Sequence, residues 1–344
     1  MNSSRRNFRL LASIGIPITL FLALASPVAA RGLSAHANDG GAGIPNFQHV
    51  FVIMMENTGF DSLIGNQNAP FINSLAKNYG LATKYFGVTH PSQPNYIAAT
   101  SGSTNGVADD NDTTIDVTNI VDQLEAHGKT WKAYMQSLSL CPNSDPAQHA
   151  CGDQLYERKH NPFVSYADVQ SSPARMANIV DFSQFSMDLA NNMVPNYSWI
   201  SPDQCHDMHG RHDPALTNDP CDFSQEQNLI AMGDAFLKST VNQILSSQAW
   251  QDGNSTIFIT WDESDFTGSG PFGFSDTSGC CDAVPGGGHV VTLVISNSVG
   301  SARTTDLASN HYSLLLTIEG GWNLGCLVFT CDTANVKPMR DLVN

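Results

Sequence analysis

Charge is what this chain has least of. Only 14% of its 344 residues are charged, and bases are half as frequent as acids, 16 Lys+Arg against 32 Asp+Glu. A formal charge of −16 and the lack of any local basic patch exclude a nucleic-acid reader, because such proteins gain affinity by displacing counterions from phosphates. No internal repeat, Pro/Gly linker or long charge run divides the sequence, so no array or string of modules is expected. No C-x-x-C pair is present, which disfavours a Cys-rich zinc site. A G-x-S-x-G elbow is also missing, and with it the usual frame for Ser-His-Asp acyl hydrolysis.

Hydrophobic residues make up 41% of the chain, enough for one large core. The N-terminus reads as an address label: basic Arg5, Arg6 and Arg9, the apolar run Leu11 to Leu24, then Val28-Ala29-Ala30 as a cleavage site. Paired Arg5-Arg6 with Phe8 resembles a twin-arginine export signal. The apolar run is too short for a stable membrane anchor, so removal of residues 1–30 predicts a secreted, periplasmic or cell-surface protein without lasting membrane insertion. Residues 31–45 read as a loose lead-in and residues 46–344 as one domain. Export suits eight cysteines in disulfides. Short loops favour Cys141–Cys151, Cys205–Cys221 and Cys326–Cys331, leaving adjacent Cys280 and Cys281 to bond each other or pair elsewhere.

Strand and helix signals alternate, predicting an α/β fold with a mainly parallel central sheet and helices on both faces. Strand-like runs are His49 to Met55, Thr130 to Met135, Tyr197 to Ile200, Ser255 to Trp261 and Val290 to Ser296. Helices are expected over Pro70 to Tyr79, Val117 to His127 and Glu226 to Leu245, with another starting near Leu314.

Ligands of open α/β sheets bind beyond the carboxyl ends of strands. Two apolar strands end in hard-oxygen pairs, Glu56-Asn57 and Asp262-Glu263, which suit a divalent cation. Ser92 lies in His90-Pro91-Ser92-Gln93-Pro94-Asn95-Tyr96, a stiff turn before a small-residue helix, where a hydroxyl is placed to act as a nucleophile. Asn95 is positioned to hold a phosphoryl oxygen. Histidines cluster around Lys159-His160-Asn161 and Cys205-His206-Asp207-Met208-His209, and Gly286-Gly287-Gly288-His289 reads as a flexible approach for an anion.

Together and in this order, these motifs resemble the secreted phosphoesterase family of bacterial acid phosphatases and phospholipase C enzymes, most closely its short acid phosphatase branch. The similarity spans about residues 46–320. It implies an alkaline-phosphatase-like fold and one divalent metal ion held by Glu56, Asn57, Ser92, Asp262 and Glu263. It further implies a phosphoseryl intermediate on Ser92, with His160, His209 and His289 as catalytic residues and Asn95, His206 and Asp207 binding substrate. The expected activity is phosphomonoester hydrolysis with a mildly acidic optimum, set by a His general acid. The alternatives are phospholipase C-like cleavage at lipid head-groups and a non-catalytic cation-binding protein. The stretch from Gly268 to Gly288 looks like an insertion at the rim of the site.

Overall fold

The computed structural model describes residues 43–265 and 276–344. The expected signal segment, most of the lead-in and the start of the Gly268–Gly288 insertion lie outside the described residues. Nine strands form one sheet: β1 (His49–Met55), β2 (Gly80–Phe86), β3 (Trp131–Met135), β4 (Ile179–Asp181), β5 (Tyr197–Ser201), β6 (Ser255–Trp261), β7 (His289–Ser296), β8 (Arg303–Thr305) and β9 (Ser309–Asn310). Their order is β8-β2-β7-β6-β1-β5-β3-β4, with β9 also pairing β2. β7 alone runs against its neighbours, β2 and β6.

The central strands are mostly apolar and buried almost end to end. Every residue of β6 and all but the first of β1 are buried, which requires cover on both faces. That cover includes α1 (Pro70–Asn78), α2 (Ser92–Ser101), α3 (Ile120–Ala126), α4 (Glu226–Leu245) and α5 (His311–Trp322). α1 packs on α4, and α2 on α5. α2 is buried at every position, and its small residues let α5 approach closely. It ends at Gly102, whose φ of +74° and whose contact with the Leu327 backbone leave no room for a side chain. Phe47 wedges edge-on between Phe258 and Trp322, tying the start of β1 to β6 and α5.

Boundaries moved where capping overrides periodicity. α3 starts three residues later than the apolar pattern suggested, because Asn119 and Asp122 form a capping box there. α5 starts earlier, at His311, capped by Asn310. β2 gave no strong strand signal: it lies next to the β8 edge, and Lys84 interrupts its apolar pattern. All four disulfides are present, including Cys280–Cys281.

Candidate active site

The parallel register sets Met55 against Trp261, so the residues after β1 and β6 leave the sheet side by side. Asp262 N donates to Met55 O, and Asn57 N donates to Asp262 Oδ1 at 3.1 Å. Glu56, Asp262 and Glu263 are completely buried at this end of the sheet.

Ser92 arrives from the turn after β2 as the first residue of α2. Its Oγ lies 2.9 Å from Glu56 Oε2, 3.1 Å from Glu263 Oε1 and 3.3 Å from Asn57 Oδ1. A hydroxyl carries one proton and so satisfies one of these three acceptors. Glu56 Oε1 and Asp262 Oδ2 are buried with no hydrogen-bond partner. Burial, aided by mutual repulsion with Asp262 and Glu263, pushes the Glu56 carboxyl well above its usual range. Burial and Glu263 lift Asp262 to about 8, and burial with Asp110 raises Glu263. Oxygens that converge without protons to share are what a divalent cation requires. Among the described residues, no group of three or more His, Cys, Asp and Glu side chains meets the spacing of a metal site. The converging oxygens here include an amide and a hydroxyl, which lie outside that set.

His160 ends a short helical turn and stacks flat on Tyr96 of α2, ring centres 5.3 Å apart. Its Nε2 approaches Glu56 Oε1 to 3.0 Å, without hydrogen-bond geometry, and its Nδ1 lies 3.4 Å from Asp207 Oδ2. His209 stands beside it, ring centres 6.1 Å apart, and contacts Gly210 O through Nδ1 at 2.6 Å. Burial, with Lys159 nearby, holds His160 well below its ordinary value and His209 at about 4. Neither is the ordinary-pKa general acid that the acidic optimum assumed; the negative charge of a bound phosphoryl group acts in the opposite direction.

Three of the residues expected at the site are engaged by neighbours outside the Ser92 cluster. Asn95 accepts from Val88 N and Thr89 N and donates to Thr89 O and Pro91 O, so its amide is spent on shaping the Ser92 turn. His206 pairs with Asp203 at 2.6 Å and packs on Phe236, on the outer side of its loop. The His289 ring is stacked on Phe60 at 4.3 Å, with Nε2 against Thr83 O. The glycines before it admit backbone, not an anion: Gly287 N donates to Gly87 O, and a side chain at Gly87 would strike Asp262 O.

Other residues join the site with little or no sequence signal. Lys159 inserts its ammonium, 3.3 Å from Asp110 Oδ2; burial opposes its charge, but Glu56 and Asp110 hold its pKa above the ordinary value. Asp110 also accepts from Gln93 N at 2.9 Å, anchoring the start of α2. His90 contacts Glu263 through Nδ1 and Asp276 O through Nε2 at 2.9 Å. His311 Nε2 reaches Asp262 O at 2.7 Å, supported by Tyr85 OH at 3.1 Å. Only the Lys159-His160 and His90-Pro91 neighbourhoods drew attention in the sequence. Asp110 and His311 are isolated there and reach the site through topology.

The buried serine among carboxylates thus stands at the strand ends of a mainly parallel sheet of the alkaline-phosphatase type. Solved structures agree on the fold. Phosphonate monoester hydrolase of Agrobacterium radiobacter aligns with a TM-score of 0.56 at 14% identity, covering 86% of this chain and 77% of that one. An alkaline phosphatase superfamily protein from Vibrio parahaemolyticus gives 0.52 at 14%, covering 82% and 67%. The chain belongs to the Phosphoesterase family, whose profile matches residues 66–325. A phosphatidylinositol-3-phosphatase of Mycobacterium tuberculosis is 32% identical over 76% of each chain. A probable acid phosphatase of Kluyveromyces lactis and an acid phosphatase of Aspergillus fumigatus are each 27% identical. They match 81% and 82% of this chain, which spans 59% and 56% of their own lengths.

Proposed function

We propose that this protein is an exported, metal-dependent phosphomonoesterase of the acid phosphatase type, working through a phosphoserine at Ser92. The observation that carries this reading is the Ser92 hydroxyl set among Glu56, Asn57 and Glu263 with too few protons for their oxygens. Glu56, Asn57, Ser92, Asp262 and Glu263 would hold one divalent cation. When bound, it would offset the carboxylate charge, favour the Ser92 alkoxide and polarise a phosphoryl oxygen.

The remaining work falls to the chain. Ser92 Oγ attacks phosphorus as the bond to the alcohol oxygen breaks, giving phosphoserine and an alcohol; water then cleaves the Ser92–phosphorus bond and releases phosphate. The Lys159 ammonium and the N-terminal end of α2 supply positive potential to the phosphoryl oxygens. His160, fixed between Glu56 and Asp207, orients the inner side of the site. His209 faces the cavity and is placed to protonate the leaving oxygen. His289 is proposed to set the position of β7 and the rim. The acid phosphatase relatives and the four disulfides support phosphorylated small molecules as substrates and an extracytoplasmic setting. No helix among the described residues is long and apolar enough to cross a membrane.

Acid quenching during turnover of p-nitrophenyl phosphate, followed by peptide mass analysis, tests the intermediate. The mass of one phosphoryl group is expected on the peptide containing Ser92, and Ser92→Ala should lose both this adduct and at least about 10⁴-fold in kcat. Near-wild-type turnover by the variant would sink the reading.

A further inference from the structure

Beside the Ser92 centre lies a second feature that phosphoryl transfer does not explain. A cavity of about 390 Å³ opens there, within the roughly 300–1,000 Å³ usual for small-molecule sites. Asn57 and His209 belong to both places: Asn57 Oδ1 is 3.3 Å from Ser92 Oγ, and the His209 ring adjoins His160. Away from them the walls turn apolar, with Met208, Leu229 and Phe223, and then acidic, with Glu226 and Asp265. Among the described residues, no Lys or Arg lines it.

These walls are built with some care. Met208 takes a φ of +85° to turn its side chain onto α4, where Gly233 is bare of the carbon that would strike it. Gly210, at φ +80°, lets the Phe223 backbone come close. Arg211 N donates to Cys221 O and accepts Phe223 N on its own carbonyl, and Cys205–Cys221 closes the loop. The result is a Phe223 ring 59% exposed at the lip of the cavity, the only exposed aromatic among the described residues, supported by His212 at 5.5 Å. Leu229 forms the floor, and Glu226 begins α4. The Phe223 ring thus offers an apolar face at the lip, continuous with Leu229 and Met208 inside the cavity.

We propose that this cavity is the leaving-group subsite, and that it takes uncharged, aromatic or aliphatic alcohols while rejecting alcohols that carry a second anionic group. The proposal rests on the phosphomonoesterase reading and adds to it a substrate class. Phe223 and Leu229 cover the apolar body of the alcohol, and His209 meets its oxygen. The Glu226 and Asp265 carboxylates, with no Lys or Arg beside them among the described lining residues, repel a second phosphate or carboxylate.

Four esters test it: 2-naphthyl, phenyl and 4-carboxyphenyl phosphate, and glycerol 2-phosphate. In the wild type, kcat/KM should be highest for 2-naphthyl phosphate, and phenyl should exceed 4-carboxyphenyl. Phe223→Ala should reduce the 2-naphthyl to glycerol ratio by on the order of tenfold, mainly through KM, and Phe223→Leu should restore part of it. Glu226→Gln should raise 4-carboxyphenyl relative to phenyl phosphate by roughly fivefold. An unchanged ratio in Phe223→Ala, or equal wild-type use of phenyl and 4-carboxyphenyl phosphate, overturns the subsite while leaving the phosphatase standing. Failure to hydrolyse any of the four overturns the phosphomonoesterase reading, and the subsite with it.

Discussion

Two sets of buried carboxyl groups in this molecule meet the same electrostatic problem in different ways. At the strand ends, Glu56, Asp262 and Glu263 stand together beside Ser92, and two of their oxygens have no hydrogen-bond partner. On α5, Glu319 is just as buried but stands apart from other carboxyl groups, with Gln123 Nε2 donating to Oε1 at 2.9 Å and Oε2 left without a hydrogen-bond partner. Burial raises the pKa in both places, Glu319 to about 8 and Asp262 to about 8. Glu319 is relieved by one proton and an amide. One proton cannot serve the strand-end cluster equally well, because three carboxyl groups crowd together there and Glu56 and Glu263 share a single serine hydroxyl. The proposed cation would satisfy them jointly. An isolated buried acid is therefore a stability element, whereas a convergent set is a binding site.

The largest expected effect lies at the cluster. Chelation should abolish turnover of p-nitrophenyl phosphate and lower the melting temperature, since a ligand bound only by the folded state stabilises it. Asp262→Asn should cost on the order of 10³-fold in kcat/KM and remove the effect of chelator on melting. A wild type whose activity and melting ignore chelator would break the contrast between the two sets. Glu319→Gln should leave the chelator response intact.

The next effect is one of pH. Folding raises the Glu319 pKa from about 4.3 to about 8, so the folded state holds this proton more tightly than the unfolded chain. Its stability contribution is present in full below the unfolded value and is lost as pH rises through the folded one. Urea midpoints should fall between about pH 4.3 and 8 in the wild type, by up to about 1.4 kcal/mol per pH unit from this group. Glu319→Gln should flatten that slope; an identical slope in both proteins would mean that Glu319 is not the titrating group.

The smallest effect concerns α3, which carries Gln123. Asn119 accepts from Val121 N at 2.9 Å, and its own N–H donates to Asp122. Asn119→Ala should cost about 1 kcal/mol and roughly 2 °C in melting temperature, with kcat unchanged. Loss of activity without loss of stability would show that the helix is coupled to the site.

Much of this was legible in the chain itself. Continuous apolar runs are specified residue by residue, so β1 and β6 and the oxygen pairs that end them could be read directly. The amphipathic pattern of α4 gave its bounds, Glu226–Leu245, without shift. Short loop spacing named three disulfides. Ser92 was visible because two prolines and a small-residue helix mark a stiff turn.

Side-chain assignments within the site were less legible. Asn95 looked like a ligand, but backbone groups of its own turn claim all of its hydrogen bonds, and that competition depends on the fold of the turn. His289 begins a strand at the correct end of the sheet, yet Phe60 and Phe86 take up its ring. Asp110, His311 and Phe223 carry no local signal, since each reaches the site or its cavity through a loop or helix distant in sequence.

The division has a physical basis. Secondary structure, the ends of core strands and short-range disulfides follow from local pattern and short-range geometry, which the sequence determines by itself. Which polar atoms are left over is a global sum. It depends on every neighbour brought by the sheet order and on the water removed by packing. Only the tertiary structure decided that Glu56 and Glu263 oxygens would meet Ser92 with Asp262 buried beside them, that Asn95 would be held by its own turn, and that Phe223 would stand exposed at the neighbouring cavity.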